Sequence, residues 1–599
     1  MKKLILFVIL LAVVPFVVGK EGHMTLLAVQ EGSDGYSGAI ADLYLEIIPG
    51  SGRVFLETFP LLKIDTQIST RFAKEIACDY LNADCERYDF IYTINSGSVI
   101  VGGPSAGSSI ATMTILMLQN KAINEEIAMT GTINSGGIVG PVGGLKDKIR
   151  AASENGIKTV LIPKGERFFS EGEVNISINS TINETSDEID LYELGNELGI
   201  RVIEVGNLDD IMYIFTGKIK EEEEVNFDVN SGYAETMEKL AADLCKRSDK
   251  LKNNVLDESG EFNNTFEDGV NLTERGRVAF ESEDFYSSAS YCFGANVKFS
   301  YMFVAGQELS NDEFIEKIEV IQNQIDEFNE VLDRKEVRTI TDLEAFVIVK
   351  ERLTEASNEL NDAISEIEGN NTEGSFQKVA YASERVNSAH SWFNFFDNRG
   401  KRINLNKENL RETCQNKLQE AEERFLYVET FIPGGIIETK KEIDLAYEDL
   451  NNGDYELCLF KASKAKAELD VFLSVLYVGE DKIEEITSQK LDVARKSILK
   501  QIKKGAFPIL GYSYYEYANS LKGGDDYSTL LYLEYARELS NLDLYFKNGK
   551  KIGFVVDRES LFYIFGVISG IVVTIASIII FKKIKNPSRT QSVLLGKKR

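Results

Sequence analysis

Histidine is almost missing: 599 residues contain only His23 and His390. Two imidazoles cannot build a His-rich zinc centre, and no HExxH occurs. A Ser/His/Asp triad has only these two to draw on. His23 directly follows an N-terminal apolar segment, and His390 lies in a helical pattern beside Trp392, the single tryptophan. Neither setting suits a catalytic base, so any hydrolytic chemistry here takes its base from another residue type. Positive charge is short as well. There are 66 Lys and Arg against 95 Asp and Glu, a net charge of -29, and no Lys/Arg-rich run lies outside the last twenty residues. That excludes a nucleic-acid binder, which needs a basic surface to displace phosphate counterions. No Gly-Lys pair is followed by Ser or Thr, so the GxxxxGK[ST] phosphate loop of an ATPase is absent too. What is there is globular: 43% hydrophobic and 27% charged residues, over a length that suggests roughly three or four structural units.

The ends read as membrane-directed. Residues 1–19, MKKLILFVILLAVVPFVVG, place two lysines before an apolar run, the form of a signal peptide or an uncleaved anchor. Residues 560–581, SLFYIFGVISGIVVTIASIIIF, are uncharged and long enough as a helix to cross a hydrocarbon core of about 30 Å. The tail at 582–599 is basic, which by the positive-inside rule makes it cytoplasmic and the rest extracytoplasmic. The expectation is a single-pass cell-membrane protein attached through a C-terminal transmembrane helix. Six cysteines, at 78, 85, 245, 292, 414 and 458, form an even set that suits an oxidising compartment. Cys78 with Cys85, Cys245 with Cys292 and Cys414 with Cys458 are the simplest pairs, with free thiols the alternative. N-x-S/T sequons stand at Asn175, Asn179, Asn183, Asn263, Asn271 and Asn370, three of them crowded into one polar stretch.

Between these ends the chain divides in two. Residues 24–217 read as mixed α/β, with strand-like runs at 24–30, 39–50, 90–94, 127–133 and 159–165 and helical stretches at 67–82, 105–121 and 146–156. An acidic linker, 218–232, contains four consecutive glutamates. From 233 to 550 the periodicity is helical. A loose repeat runs through it: a helix end, a short Gly/Asp/Asn turn, an aromatic (Phe285, Phe376, Tyr455, Tyr527) and a second helix. Those aromatics are expected in the core, and the region carries no recognisable chemistry.

Chemistry concentrates between Val101 and Gly165. VGGPSAGSS (101–109) sets Ser105 in a turn that opens an apolar helix. Gly103 and Gly107 permit close backbone approach, and Pro104 fixes the entry angle. A hydroxyl there faces helix N–H groups able to stabilise an oxyanion. Downstream, Lys146 follows Gly143, Gly144 and Leu145 at a helix start. An ammonium at the positive end of a helix dipole has its pKa lowered, which frees neutral amine to act as base. Ser105 as nucleophile with Lys146 as base answers the missing histidine.

The blocks GPSAG (103–107), AMTG (128–131), GGLKDK (143–148) and GIKTVLIP (156–163) together resemble the proteolytic domain of Lon-type serine-lysine peptidases, over about one third of the chain. The resemblance implies Ser105 and Lys146 as catalytic residues and Thr130 as the hydroxyl supporting the lysine. It also implies a compact α+β proteolytic domain, polypeptide substrates and assembly into hexameric rings, with neither metal nor cofactor. Two departures stand out. Gly102 replaces the family's Asp before GPSAG, and Thr132 replaces its Glu after AMTG.

Two functions follow as expectations. The first is an ATP-independent, membrane-anchored serine endopeptidase acting on unfolded or flexible extracytoplasmic polypeptides, with the helical repeats as substrate recruiter or spacer. The second is a non-catalytic surface receptor or scaffold that retains a peptidase-like domain.

Overall fold

Alternation of apolar and polar residues in MTLLAVQ and AIADLYLEIIPG produces two long strands, β1 (Lys20–Gly32) and β2 (Gly35–Pro49), paired antiparallel with Met24 opposite Leu43. Their alternate residues Met24, Leu26, Leu43, Leu45 and Ile47 point into one core. The computed structural model describes residues 20–32, 35–57, 61–97, 100–170, 188–218, 231–255, 262–307, 309–396, 402, 406–476, 478–479, 482–541 and 558–585.

The further strands are β3 (Val54–Leu56), β4 (Leu61–Leu62), β5 (Tyr88–Ser96), β6 (Ile100–Val101), β7 (Ile127–Met129), β8 (Thr132–Asn134), β9 (Ile138–Gly140), β10 (Thr159–Pro163), β11 (Phe168–Ser170), β12 (Glu188–Asp190) and β13 (Arg201–Val205). Five of them join β1 and β2 in one mixed sheet in the order β13-β10-β7-β1-β2-β5-β3. On one side of β1 the strands β7, β10 and β13 run parallel to it. On the other side β2 runs antiparallel to both β1 and β5, and the edge strand β3 runs parallel to β5. The inner strand β10 is buried from Val160 to Pro163, as expected of a parallel strand covered on both faces. Helices α1 (Ile64–Leu81), α2 (Gly107–Leu118), α3 (Leu145–Glu154), α4 (Leu191–Glu197) and α5 (Leu208–Thr216) complete this α+β part.

The helical region comprises α6 (Ser231–Asn254), α7 (Asn263–Glu281), α8 (Phe285–Ala305), α9 (Asn311–Asp333), α10 (Ile340–Glu368), α11 (Thr372–Trp392), α12 (Lys407–Glu429), α13 (Ile437–Asn452), α14 (Tyr455–Val475), α15 (Ile483–Lys503), α16 (Ile509–Leu521) and α17 (Asp526–Ser540). Each of the four repeat signatures is a helical hairpin: α7–α8, α10–α11, α13–α14 and α16–α17. Each marked aromatic sits in the first turns of the second helix. Phe285, Phe376 and Tyr455 pack on the core as expected, whereas Tyr527 is 52% exposed. Trp392 is fully buried against Phe395.

One hydrophobic core joins the two parts, running from Met24, Leu43 and Phe72 to Leu418, Tyr427, Ile443 and Leu469. Two buried cations cross the same boundary. Arg424 and Lys466 donate to Glu75 of α1 at 2.8 Å each. Burial pushes the Glu75 carboxyl up, but Lys466 and Arg424 more than offset this and hold it at about 2. All three simplest cysteine pairs are disulfides. Cys78–Cys85 closes the turn after α1, Cys245–Cys292 ties α6 to α8, and Cys414–Cys458 ties α12 to α14.

These elements belong to the unit Gly19–Lys547; a second unit comprises the chain ends, 1–18 and 548–599. Within the second unit the described residues form α18 (Arg558–Lys585), which is charged at both ends. Among the described residues no helix is long and apolar enough to cross a membrane. That overturns the expected transmembrane helix over 560–581, and with it the single-pass cell-membrane localisation and membrane attachment. The signal-peptide segment 1–19, the sequons at Asn175, Asn179 and Asn183, most of the acidic linker and the tail from 586 lie outside the described residues.

Candidate active site

Ser105 occupies the turn between β6 and α2, half-buried. The turn is shaped by its glycines and by Pro104. Gly103 has φ +100, a conformation that only glycine adopts without strain. Gly107 N–H closes the turn on the Pro104 carbonyl at 3.0 Å. A side chain at Gly107 would lie 3.0 Å from Ile133, so the start of α2 rests on β8. From Gly107 to Met117 every residue of α2 is buried, which fixes the turn that presents Ser105.

The AMTG block lies directly beneath. Gly131 N–H donates to the Ser105 carbonyl at 3.0 Å, and Ser108 N–H donates back to the Gly131 carbonyl at 3.1 Å. The Thr130 hydroxyl also reaches the Ser105 carbonyl, at 3.5 Å. Thr130 itself is 1% exposed, and its N–H is held by the Leu161 carbonyl of β10 at 3.1 Å.

The GGLKDK block supplies α3. Gly144, at φ +69, caps it, and Lys148 N–H donates to the Gly144 carbonyl at 3.0 Å. Leu145, Lys148, Ile149 and Ala152 are buried along one face of α3. Lys148, 3% exposed, donates from Nζ to Thr130 Oγ1 at 3.1 Å. Burial lowers its ammonium from 10.5 to about 8, because the charged form loses its hydration. Lys146 is half-buried on the first turn of the same helix.

Residues 60–182 match the family described as Lon protease (S16) C-terminal proteolytic domain. The chain carries a Lon-type proteolytic domain. It is similar to Lon protease of Paraburkholderia phytofirmans, 37% identical over 120 residues, which cover 19% of this chain and 15% of that protein. A Vibrio parahaemolyticus Lon protease is 42% identical over 98 residues, 16% of this chain and 12% of the relative. One from Methanosphaera stadtmanae is 35% identical over 127 residues, 20% of this chain and 15% of the relative. The chain thus spans a fifth or less of the length of these curated relatives.

Ser105, Gly103, Pro104 and Gly107 share one turn, which is bonded to Thr130 and Gly131, while Lys146 stands on the first turn of α3. The contact that sequence reasoning missed is Lys148 with Thr130. Its signal was a lysine in phase with Leu145, Ile149 and Ala152, on the apolar face of a helix. The two departures also have a place. Beside Gly102, whose added Cβ would meet the Lys63 side chain, the loop takes a carboxylate from α1: Gly103 N–H donates to Asp65 Oδ2 at 3.0 Å. Thr132 pairs with Gly140 across the β8–β9 hairpin. Neither histidine joins the site. His23 contacts Asp42 at 3.0 Å and Glu125 at 3.4 Å, and His390 stacks on Phe328.

Proposed function

We propose that this chain is a serine endopeptidase in which Ser105 is the nucleophile and Lys148 the general base, the role that local helix-end reasoning gave to Lys146. The observation that carries the reading is the buried Lys148 amine hydrogen-bonded to Thr130, on the block that also binds the Ser105 carbonyl. Neutral Lys148 takes the proton from Ser105 Oγ as the oxygen attacks a peptide carbonyl. Gly107 and Ser108 N–H groups are already engaged, so the oxyanion draws on Ser105 and Ala106 at the start of α2. Lys148 then gives its proton to the departing amine. An ester on Ser105 remains, and Lys148 deprotonates the water that hydrolyses it. Thr130 accepts a hydrogen bond from Lys148 throughout and holds its orientation.

The substrates are unfolded or flexible polypeptides, and cleavage needs no ATP, since these residues include no phosphate loop to couple it. Self-association, implied by the family resemblance, belongs to the same reading. A fluorophosphonate probe tests it. The reading expects mass spectrometry to find the label on Ser105, and Lys148→Ala to lose it while staying folded. A folded, unlabelled wild-type chain would favour the scaffold function instead.

A further inference from the structure

A buried serine–lysine contact lies apart from Ser105, between the β8–β9 hairpin and the helical region. Lys490 Nζ of α15 donates to Ser135 Oγ at 2.6 Å and to the Ser135 carbonyl at 3.3 Å. Ser135 Oγ donates to Glu534 Oε1 of α17 at 2.6 Å. Lys490 is ion-paired with Glu534, and Arg537 Nε donates to the other Glu534 oxygen at 3.0 Å. Ser135, Lys490 and Glu534 are each no more than 2% exposed. No polypeptide can reach them, so this is not a second nucleophile and base.

Its place in the chain gives it another use. Ser135 is at the tip of the β8–β9 hairpin. One end of that hairpin leads back through Gly131 to Thr130, and the other leads on through Gly144 to Lys148. The rest of the tip is gripped too. Gly136, at φ +77, lies against Val493 of α15, and Gly137 lies against Leu208 of α5. Val139 N–H donates to the Gly206 carbonyl at 2.9 Å. At the head of α15, Lys482 donates to the Gly165 carbonyl at 2.6 Å, just past β10. The same helix therefore holds the hairpin and the strand end whose Leu161 carbonyl fixes Thr130.

We propose that Ser135, Lys490 and Glu534 are positioning residues, through which the helical region sets the hairpin and so the placement of Lys148 against Thr130 and Ser105. This rests on the peptidase reading for its kinetic arm only. A merely packed helical region would leave the chemistry indifferent to the Ser135 hydroxyl. A positioning clamp makes the two depend on each other, since small misplacements of a base cost large factors in rate.

The test uses the full chain with Ser135→Ala, which removes the hydroxyl and leaves the Lys490–Glu534–Arg537 cluster paired. Casein cleavage gives kcat and KM, and 13C-lysine NMR gives the titration midpoint of Lys148. The expected result is a kcat about tenfold lower with KM little changed, and a Lys148 midpoint moved up from about 8 toward 10.5. Ser135→Thr, which keeps a hydroxyl, should restore both. Lys490→Arg, which keeps the charge but changes the reach, is the second variant and should shift both in the same direction. If wild type proves inert, the peptidase reading fails and the Lys148 midpoint alone decides the clamp. A folded Ser135→Ala chain with unmoved kcat and midpoint would overturn it, as would an unmoved midpoint in an inert chain.

Discussion

Lys148 donates to Thr130 across 3.1 Å, and this bond ties α3 to a residue whose own segment is held by two others. Thr130 is fixed from below by the Leu161 carbonyl, and its neighbour Gly131 is bonded to Ser105. A change in any of the three segments therefore reaches the lysine. Burial alone brings the Lys148 amine down to about 8, so a chain with two histidines can still hold an amine that gives up its proton not far above neutrality.

The first prediction concerns pH. A base must be neutral to act, and Lys148 loses its proton at about 8. The rate kcat/KM on a fluorogenic peptide should rise with pH through about 8 and level off above it. A profile flat between pH 6 and 9, on the order of three units around neutrality, would remove Lys148 from the proton transfer.

A second prediction separates stability from activity. The folded-state pKa of Lys148 lies below its value of 10.5 in water, so below about 8 the folded chain carries a buried charge that the unfolded chain solvates. Lys148→Met should abolish cleavage yet stabilise the fold at pH 7 by about 2 kcal/mol, after allowing for the lost hydrogen bond. The gain should shrink as pH rises from 8 toward 10.5, where the wild-type lysine is neutral in the folded state. Denaturant melts at pH 7 and pH 10 check both signs.

Gly38 provides a third. A Cβ built there falls 2.0 Å from the Asp147 carbonyl oxygen and 2.9 Å from Ala151, both on α3. Gly38→Ala must push α3 away from β2, at about 1–3 kcal/mol, and carry Lys148 with it. Chemical denaturation should show the loss, and kcat should fall further than the fraction unfolded explains.

Acid sensitivity gives a fourth. Glu75 is held at about 2 by Lys466 and Arg424 against the desolvation that opposes it. Its stabilising contribution is complete above its ordinary value near 4.5 and is lost as pH falls from there toward 2. Glu75→Gln should flatten the pH dependence of melting temperature across that window. An unchanged slope would mean that the bridge from α1 to the helical region contributes no titratable stability.

Much of this architecture was legible because its signals are local. Alternation marked β1 and β2, four short motifs marked the turn of Ser105 and the Thr130 strand, and the aromatic after each Gly/Asp/Asn turn marked the four helical hairpins. Nearest-neighbour pairing of cysteines found all three disulfides. Tyr527 was misjudged: among the described residues it stays 52% exposed, and an aromatic after a turn does not by itself say which face it takes. Lys146 drew attention because helix-end electrostatics are visible in a few residues, whereas the burial of Lys148 depends on Thr130, eighteen residues away in sequence. The Ser135–Lys490 contact spans 355 residues, and nothing in either local sequence announces it. The 560–581 segment looked like a membrane span from composition, yet no helix among the described residues meets that requirement.

The most direct test is casein cleavage without ATP by wild type, Ser105→Ala, Lys148→Ala and Lys146→Ala, side by side. Wild type and Lys146→Ala are expected to cleave robustly, and the other two not at all although both remain folded. Retained cleavage in folded Lys148→Ala, with loss in Lys146→Ala, would contradict this and return the base to the first turn of α3.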